Sequence, residues 1–287
     1  MKWQLMLIII KPSDKKNTKQ SVEWLLNECT LRHIEPQLFF TTGHFESDHK
    51  AIANLAKHVN QAVVIGGDGS LHLAINALFG CDCSIALLPA GTGNDFARGF
   101  AFKPQQWRDA VFSGHTQLID VGKINQRYFI NVAGVGFDAD VVSQLNQVGR
   151  FTAFGYLWQG IKQLFSFQAK SLSGVFADKH EEFTNLVTLF ANHHYFGGGL
   201  KIAPHAILND GELECYRMPA GNLVKNLRSF LHLIFVKHHN LNELQYCRLS
   251  RAEIHTAGLL IEADGELVGV TPAKVVMYHQ ALRFHLP

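Results

Sequence analysis

The first 120 residues alternate between short apolar segments and longer segments with helical spacing. The apolar segments are residues 3–10, 37–40, 61–65 and 84–88. The first of them is apolar on both alternating faces, which predicts a parallel strand covered on two sides. The segments between them repeat hydrophobic residues at helical intervals, as in Leu71, Ala74, Ile75 and Leu78. This alternation predicts an open α/β layer, whose strand-to-helix loops share one edge of the sheet.

The pattern changes after Gln117. Residues 117–123 and 127–133 predict two strands with only a polar turn between them, which indicates a hinge between domains. From residue 172 onward most segments predict short antiparallel strands, separated by turn sequences such as Asn209-Asp210-Gly211 and Asp264-Gly265. Two helices are predicted within this β-rich half, at 151–165 and 223–237.

Composition and charge exclude several classes of protein. Hydrophobic residues form 47% of the 287 positions and charged residues 17%, which is typical of a globular chain with a packed core. The formal net charge of +2 is too small to predict binding to nucleic acid, so we expect no nucleic-acid partner. Five cysteines without a CxxC pair favour a reducing compartment. The apolar start is too short for a signal peptide and no apolar run is long enough to span a bilayer, so we expect a cytoplasmic protein.

A glycine-rich loop, Gly66-Gly67-Asp68-Gly69-Ser70, lies between a predicted strand and a predicted helix. Glycines permit positive φ angles and close approach of backbone N–H groups to phosphate, and the start of a helix favours an anion. A carboxylate in such a loop would repel phosphate unless a cation lay between them, so Asp68 indicates Mg²⁺. Alternatively, the loop is a tight turn in which Asp68 or Ser70 caps the helix.

A second loop follows the strand at 84–88. Its sequence is LPAGTGNDFAR, from Leu88 to Arg98, and it also opens a helix. Gly91, Thr92 and Gly93 are suited to wrapping a phosphate chain, and Arg98 lies one helical turn further on, within reach of an anion. The alternative is a loop with an Asn94 or Asp95 cap and a solvated arginine. Neither loop has the Lys-Ser or Lys-Thr ending of a Walker A sequence.

GGDGS followed by LPAGTGNDFAR resembles the diacylglycerol kinase catalytic family, which includes sphingosine kinases and a bacterial branch of soluble lipid kinases. The resemblance continues through LIDVGKINQRYFINVAGVGFDA, GGGLKIAPHAILNDGELE, IEADGE and the closing ALRFHLP, in family order. The bacterial branch is the most similar, and some of its members phosphorylate diacylglycerol or phosphatidylglycerol.

The resemblance implies a fold of α/β plus β with two domains and the active site in the cleft between them. The N-terminal domain would be an open α/β nucleotide-binding domain, residues 1–122, joined by the C-terminal segment at about 276–287. The β-sandwich-like lipid-substrate domain would be residues 123–275. The implied activity is ATP- and Mg²⁺-dependent transfer of the γ-phosphoryl group to a lipid hydroxyl, on a membrane lipid reached from the bilayer surface at the inner face.

The resemblance also implies roles for particular residues. The implied ATP contacts are Thr42, Gly66, Gly67, Asp68, Gly69, Ser70, Leu71, Gly91, Thr92 and Asn94, with Thr41 as an alternative to Thr42. Glu266 matches the family position proposed as proton acceptor, and Asp120 and Asp68 match acids of the metal and catalytic network. Taken alone, Asp264-Gly265 is a hairpin turn with Glu266 as the first exposed strand residue, and Asp120 is a strand-end carboxylate.

The segment 207–212 matches a second metal site of the bacterial branch. The implied ligands are Ile207, Asp210 and Glu212, through backbone carbonyls and one carboxylate, which suits Mg²⁺ or Ca²⁺. The alternative is a hairpin turn at Asn209-Asp210-Gly211 that holds no ion.

Two departures from the family leave other functions open. His72 and Leu73 stand where many members have Asn and Glu, and Lys11-Pro12-Ser13-Asp14 replaces Asn-Pro-x-Ser-Gly. A kinase for a soluble acceptor is one alternative, because GGDG also resembles loops of phosphofructokinases and NAD kinases. A non-catalytic nucleotide- or lipid-binding protein is the other.

An aromatic stripe runs along the predicted helix at 151–165. Its residues are Phe151, Phe154, Leu157, Trp158, Ile161, Leu164 and Phe165, beside Arg150, Lys162 and Lys170. The stripe predicts a core-facing helix. The alternative is a segment at the membrane interface that admits a lipid.

Overall fold

The computed structural model describes residues 4–148, 153–235 and 241–287, which fall into two units. Unit 1 comprises residues 1–119 and 280–287, and unit 2 comprises residues 120–279. The boundaries expected from the sequence were residues 122 and 275. Trp3 and the ranges 151–152 and 236–237, which were predicted to belong to a strand and two helices, lie outside the described residues, as does Arg150 beside the aromatic stripe.

Unit 1 is a parallel sheet with helices packed against it. Its elements are β1 (Gln4–Ile10), α1 (Lys16–Leu31), β2 (Ile34–Phe40), α2 (Phe45–Ala56), β3 (Gln61–Gly66), α3 (Asp68–Leu78), β4 (Ser84–Pro89), α4 (Asp95–Arg98) and α5 (Pro104–Phe112). The strand order is β2-β1-β3-β4, all parallel. The final strand, β17 (Ala273–His285), ends parallel to β4 through Phe284 and His285.

Both faces of the central strands are buried, as their sequences predict. Met6, Ile8 and Ile10 pack with Leu25 and Cys29 of α1 on one face, while Leu7 and Ile9 are also fully buried. A strand that is apolar at every position needs cover on two sides, and the alternating helices provide it.

In its described residues, unit 2 is mainly antiparallel β with three helices. Its elements are β5 (Gln117–Ile124), β6 (Arg127–Phe129), β7 (Val132–Gly136), α6 (Phe137–Val148), α7 (Ala153–Leu164), β8 (Lys170–Phe176), β9 (Lys179–Ala191), β10 (Tyr195–Phe196), β11 (Leu200–Lys201), β12 (Leu213–Pro219), α8 (Leu223–Ile234), β13 (Gln245–Leu249), β14 (Arg251–Ile254), β15 (Leu260–Ala263), β16 (Glu266–Val270) and the start of β17.

The long strand β9 organises unit 2. Its first half pairs with β8, and its second half pairs with β7 on one side and β12 on the other. One core lies where α6, α7 and α8 pack on this sheet, with Tyr156, Tyr216 and Phe230 among its members. A second core, around Phe129, Phe176 and Phe190, is formed by strand and loop residues wherever the chain is described.

Two sequence predictions were wrong in unit 2. The strand predicted at 127–133 is interrupted, because the backbone N–H groups of Ile130 and Asn131 donate to the Asp264 carboxylate at 3.0 and 2.8 Å instead of pairing with a neighbouring strand. Helix α6 was not predicted, although Phe137, Val141 and Leu145 recur at four-residue intervals and are all buried. The predicted helices at 151–165 and 223–237 correspond to α7 and α8.

Candidate functional site

The first glycine loop joins β3 to α3. Gly67 is the N-cap of α3, and its φ of −107° is ordinary extended backbone. Positive φ is therefore not the reason for glycine at 67, and that part of the sequence interpretation was wrong. The reason is space, because a Cβ on Gly67 would lie 2.9 Å from the Cα of Gly91.

The two glycine loops of unit 1 are in direct contact. A Cβ on Gly91 would lie 2.4 Å from the Cα of Gly67 and 2.7 Å from Asn94 Oδ1. The Phe96 N–H, near the start of α4, donates to Asp68 Oδ1 at 3.1 Å. Asp68 thus lies within the first turn of its own helix and accepts a hydrogen bond from the other loop. The expected convergence of these two loops is present.

Asn94 closes the second loop. Its side-chain Oδ1 accepts the Gly91 N–H at 2.9 Å, and its Nδ2 donates to the Gly91 carbonyl at 3.2 Å. Asn94 itself adopts a left-handed conformation, with φ of 50°, which asparagine tolerates better than most residues. Arg98 was expected to reach towards an anion, and in the structure its guanidinium donates to the Gly93 carbonyl at 3.0 Å.

Lys15 is a cation that the sequence analysis did not single out. It precedes α1 and donates from Nζ to the Thr92 hydroxyl at 2.8 Å. An exposed ammonium group beside the second glycine loop adds positive charge where a phosphate chain would need it. The contact joins residues 77 positions apart, so sequence spacing gave no signal for it.

Ser70, Leu71 and Thr42 have structural contacts of their own. Ser70 and Leu71 are buried, and their N–H groups donate to the Gly67 carbonyl in the first turn of α3. The Thr42 hydroxyl and N–H donate to the buried carboxylate of Asp48 at 2.8 and 2.9 Å. Gly69, in contrast, is exposed in the first helical turn, where N–H groups have no partner within the helix.

His72 and Leu73 occupy the inner side of α3. His72 is 1% exposed and its ring lies 5.9 Å from that of Phe45 in α2, while Leu73 is 7% exposed. These residues therefore contribute to packing, and a glutamate at 73 would place a carboxylate in a buried position.

Asp120 in unit 2 is fully buried and holds three segments together. Its Oδ2 accepts the Gly211 N–H at 2.6 Å, and its Oδ1 lies 2.9 Å from His279 Nδ1. Its own N–H donates to the Leu208 carbonyl at 2.7 Å, and its carbonyl accepts from Asn192. The structure therefore brings Asp120 next to the 207–212 turn, two features that were separate in the sequence.

The 207–212 turn carries its own counter-charge. Arg248 forms ion pairs with Asp210 and with Glu212, the second at 2.9 Å. The turn connects β11 to β12, which pair with different strands, so it is not a hairpin. The oxygen donors suit a hard cation, but the guanidinium already compensates both carboxylates. Arg248 would have to move before these groups could bind a divalent ion.

Glu266 begins β16, directly after the β15–β16 hairpin turn. Asp264 and Gly265 form that turn with φ angles of 51° and 85°, and Glu266 is exposed at its end. The Asp264 carboxylate accepts the N–H groups of Ile130 and Asn131, and Glu262 Oε2 accepts the Gly265 N–H at 2.9 Å. Two buried carboxylates, one within the turn and one just before it, therefore fix its position.

A buried carboxyl pair, Asp138 and Glu262, lies beneath this hairpin and was missed by the sequence analysis. Glu262 pairs across the strands with Gly134, and a Cβ on Gly134 would meet the Asp138 carboxylate. Burial, with Asp140 nearby, raises the pKa of Asp138 to about 7, and burial together with Asp138 raises the pKa of Glu262. Two adjacent buried carboxyl groups cannot both ionise cheaply, so the pair retains a proton near neutral pH.

The outer face of α7 and the residue that follows this helix, Phe165, are apolar and exposed. Phe154, Trp158 and Phe165 are 76%, 55% and 73% exposed, whereas Tyr156 and Leu164 are buried. The ammonium group of Lys162 lies 5.1 Å from the Trp158 ring centre. The aromatic stripe thus has a core face and a solvent face. Within the described ranges, no helix has the length and apolarity needed to cross a membrane.

Comparisons with known proteins bear on both units. The family model of the diacylglycerol kinase catalytic domain matches residues 4–124, and that of the YegS C-terminal NAD kinase beta sandwich-like domain matches residues 131–285. A diacylglycerol kinase of Mycobacterium tuberculosis is 30% identical over 256 residues, which cover 84% of this chain and 82% of that protein. A Pseudomonas putida protein named "Probable lipid kinase YegS-like" is 31% identical, with coverage of 81% and 79%.

A solved structure is similar over nearly the whole chain. The crystal structure of a diacylglycerol kinase from Bacillus anthracis matches with a TM-score of 0.75, covering 99% of this chain and 97% of that one. At 16% sequence identity this likeness shows the fold alone. Together with the family models, it confirms the predicted two-domain class of α/β plus β-sandwich-like architecture.

Proposed function

We propose that this chain, which belongs to the diacylglycerol kinase catalytic domain family of lipid kinases, transfers the γ-phosphoryl group of ATP to the hydroxyl of a membrane lipid. The observation that carries the proposal is the contact between the two glycine loops. Gly67 and Gly91 approach so closely that neither tolerates a side chain. Close backbone packing beside two helix starts is suited to a polyphosphate.

The nucleotide would bind to unit 1 through these loops. The proposed contacts are Gly66 to Leu71, Gly91, Thr92 and Asn94. Lys15, which donates to Thr92, is a further proposed contact, as is Thr42, which is hydrogen-bonded to Asp48. Asn94 shapes the second loop, since both polar atoms of its side chain bond to Gly91. Mg²⁺, when bound, would shield the phosphate charge, and the hard carboxylate oxygens of Asp68 beside the loops fit that ion.

Acceptor activation would depend on unit 2. We assign Glu266 as the base that takes the proton of the lipid hydroxyl, because its side chain is exposed on a turn that buried carboxylates hold in place. Asp120 would act through the groups it positions, His279 and the 207–212 turn, since both of its carboxylate oxygens are engaged. Ile207, Asp210 and Glu212 remain the proposed ligands of a second Mg²⁺ or Ca²⁺, in competition with Arg248.

The acceptor would be reached at the inner face of the cytoplasmic membrane. The exposed face of α7 supports this, because aromatic side chains beside a lysine suit the boundary between lipid headgroups and acyl chains. Neither α7 nor α8 contains an acidic residue, so an anionic lipid surface would meet no opposing charge from these helices.

Acceptor class is tested with labelled ATP and a panel of diacylglycerol, phosphatidylglycerol, NAD and hexose phosphates. The proposal expects label in one of the two lipids. Label only in NAD or a sugar would identify a kinase for soluble acceptors, and ATP binding without transfer to any acceptor would identify a non-catalytic nucleotide-binding protein.

A further inference from the structure

Cys215 and Cys247 form a cross-strand pair of thiols in unit 2. They are directly opposite each other in the antiparallel strands β12 and β13, and both are free thiols. Cα atoms of residues opposed in an antiparallel pair lie about 4.5 or 5.5 Å apart, and both values fall within the range that a disulfide spans. Opposed residues also project to the same face of a sheet, so the two thiols lie side by side.

An arginine lies against both sulfur atoms. Arg217 is two residues after Cys215 on β12 and therefore projects to the same face. Its Nη1 lies 3.2 Å from Cys247 Sγ and 3.8 Å from Cys215 Sγ. The guanidinium is held in place by Glu181, 3.3 Å from its Nε, and by the ring of Phe176, 4.8 Å away. A fixed cation at this distance stabilises a thiolate.

The two thiols differ in burial. Cys215 is fully buried, whereas Cys247 is partly exposed. Arg217 also lines a surface cavity of about 560 Å³ together with Gln245 and Tyr246, the two residues that precede Cys247. The hydrogen bond to Cys215, reinforced by the charge of Arg217, lowers the pKa of Cys247 to about 6, while burial raises the pKa of Cys215. Cys247 is therefore the nucleophilic partner and Cys215 the protonated one.

From this geometry we infer that Cys247 and Cys215 form a reversible oxidation site, in which a hydroperoxide converts the pair to a cross-strand disulfide. The Cys247 thiolate attacks the peroxide, forming an S–O bond as the O–O bond breaks, and yields a sulfenic acid and hydroxide or alkoxide. The sulfur of Cys215 then displaces the sulfenic oxygen, which leaves as water after taking up the Cys215 proton. The two cysteines are oxidised by two electrons and the peroxide is reduced by two.

The disulfide would fix β12 to β13 next to the 207–212 turn. Arg248, which holds Asp210 and Glu212, directly follows Cys247. A metal site at the thiols is not indicated, because no group of three or more His, Cys, Asp or Glu side chains among the described residues is arranged to hold an ion. Neither cysteine is among the residues proposed for phosphoryl transfer.

The test treats the full-length reduced protein with hydrogen peroxide and maps its peptides by mass spectrometry. We expect one linked pair, Cys215 with Cys247, which dithiothreitol reverses, while Cys29, Cys81 and Cys83 stay alkylatable. In Cys215→Ser, peroxide should leave a sulfenic acid on Cys247 that dimedone traps. Unlinked thiols after peroxide treatment, or links that involve only the other cysteines, would overturn the inference.

The role of Arg217 is tested by the pH dependence of Cys247 alkylation, followed by peptide mass in the reduced protein, for wild type, Arg217→Lys and Arg217→Gln. We expect a rate midpoint well below the ordinary cysteine value in wild type and in the lysine variant. The glutamine variant should shift the midpoint up towards about 8.5, the usual value for a free thiol. Circular dichroism checks that each variant is folded, and a midpoint unchanged by Arg217→Gln would overturn the assignment of Arg217.

Discussion

Substitution of Gly91 by alanine tests the contact between the two glycine loops. The added Cβ would lie 2.4 Å from the Cα of Gly67, whereas ordinary contact begins at 3.4 Å, so the loops would have to separate by about 1 Å (3.4 − 2.4). Both sides of this contact are backbone, so no side-chain rotation relieves it. Overpacking of this kind costs about 1–3 kcal/mol of stability.

The functional cost should exceed the stability cost. N–H···O bonds to phosphate are effective only within about 2.7–3.2 Å, so a shift of about 1 Å in either loop would break several of them. A hydrogen bond to a charged group contributes about 1.5–3 kcal/mol, and the loss of two therefore predicts ATP binding weaker by at least about 100-fold.

Isothermal titration with ATP and Mg²⁺, together with thermal unfolding, measures both costs. Gly80→Ala is the matched control in unit 1, because Gly80 has φ of 82° and open space around its Cα. It should lose about 1–2 kcal/mol of stability through backbone strain and keep its affinity for ATP. Equal affinity in Gly91→Ala and Gly80→Ala would refute the assignment of the loops.

Three further predictions concern other parts of the molecule. Glu262→Gln should flatten the pH dependence of unfolding: the folded carboxyl pair retains a proton that the unfolded chain loses above about pH 4, so wild-type stability falls by up to about 1.4 kcal/mol per pH unit as pH rises to about 7. Denaturant unfolding at several pH values measures this slope, with the exposed Glu266→Gln as control. Parallel plots of unfolding free energy against pH for wild type and Glu262→Gln would contradict the prediction. Arg248→Ala should raise the affinity of the 207–212 turn for Mg²⁺ or Ca²⁺, so that adding the ion raises Tm more than it does in wild type. If the double variant Arg248→Ala with Asp210→Asn shows the same rise, the ion does not bind at this turn. The double variant Phe154→Ser with Trp158→Ser should reduce cosedimentation with phosphatidylglycerol vesicles severalfold. Leu31→Ser, at a similarly exposed position on α1, should not reduce it. If both proteins bind the vesicles as wild type does, α7 does not contact the membrane.

Local sequence information was sufficient for much of unit 1. Continuous apolar segments identified its strands, because a parallel strand covered on both faces needs apolar residues at every position. The glycine loops were located for a related reason, since each lies between such a strand and a helix. The reason for glycine at 67 and 91 could not be predicted from the sequence. That reason is the contact between the two residues, which depends on the pairing of β3 with β4.

Unit 2 was less predictable because its important contacts are non-local. Asp138 meets Glu262 only because β7 pairs with β15, and Cys215 meets Cys247 only through the register of β12 and β13. Arg248 reaches Asp210 across 38 residues. Apart from Asp210, which the family resemblance marked as a metal ligand, these residues looked like ordinary surface or strand residues in the sequence, since no local spacing marks a partner that tertiary pairing supplies.

The central claim, phosphoryl transfer to a lipid with Glu266 as base, is tested most directly by incubating the protein with total membrane lipid and labelled ATP. Products are separated and identified by mass, with Glu266→Gln and the exposed control Glu253→Gln in parallel. We expect one lipid species that gains a phosphoryl group with wild type, loss of that product with Glu266→Gln despite unchanged ATP binding, and retained turnover with Glu253→Gln. Undiminished product with Glu266→Gln, or label confined to water-soluble products, would contradict it.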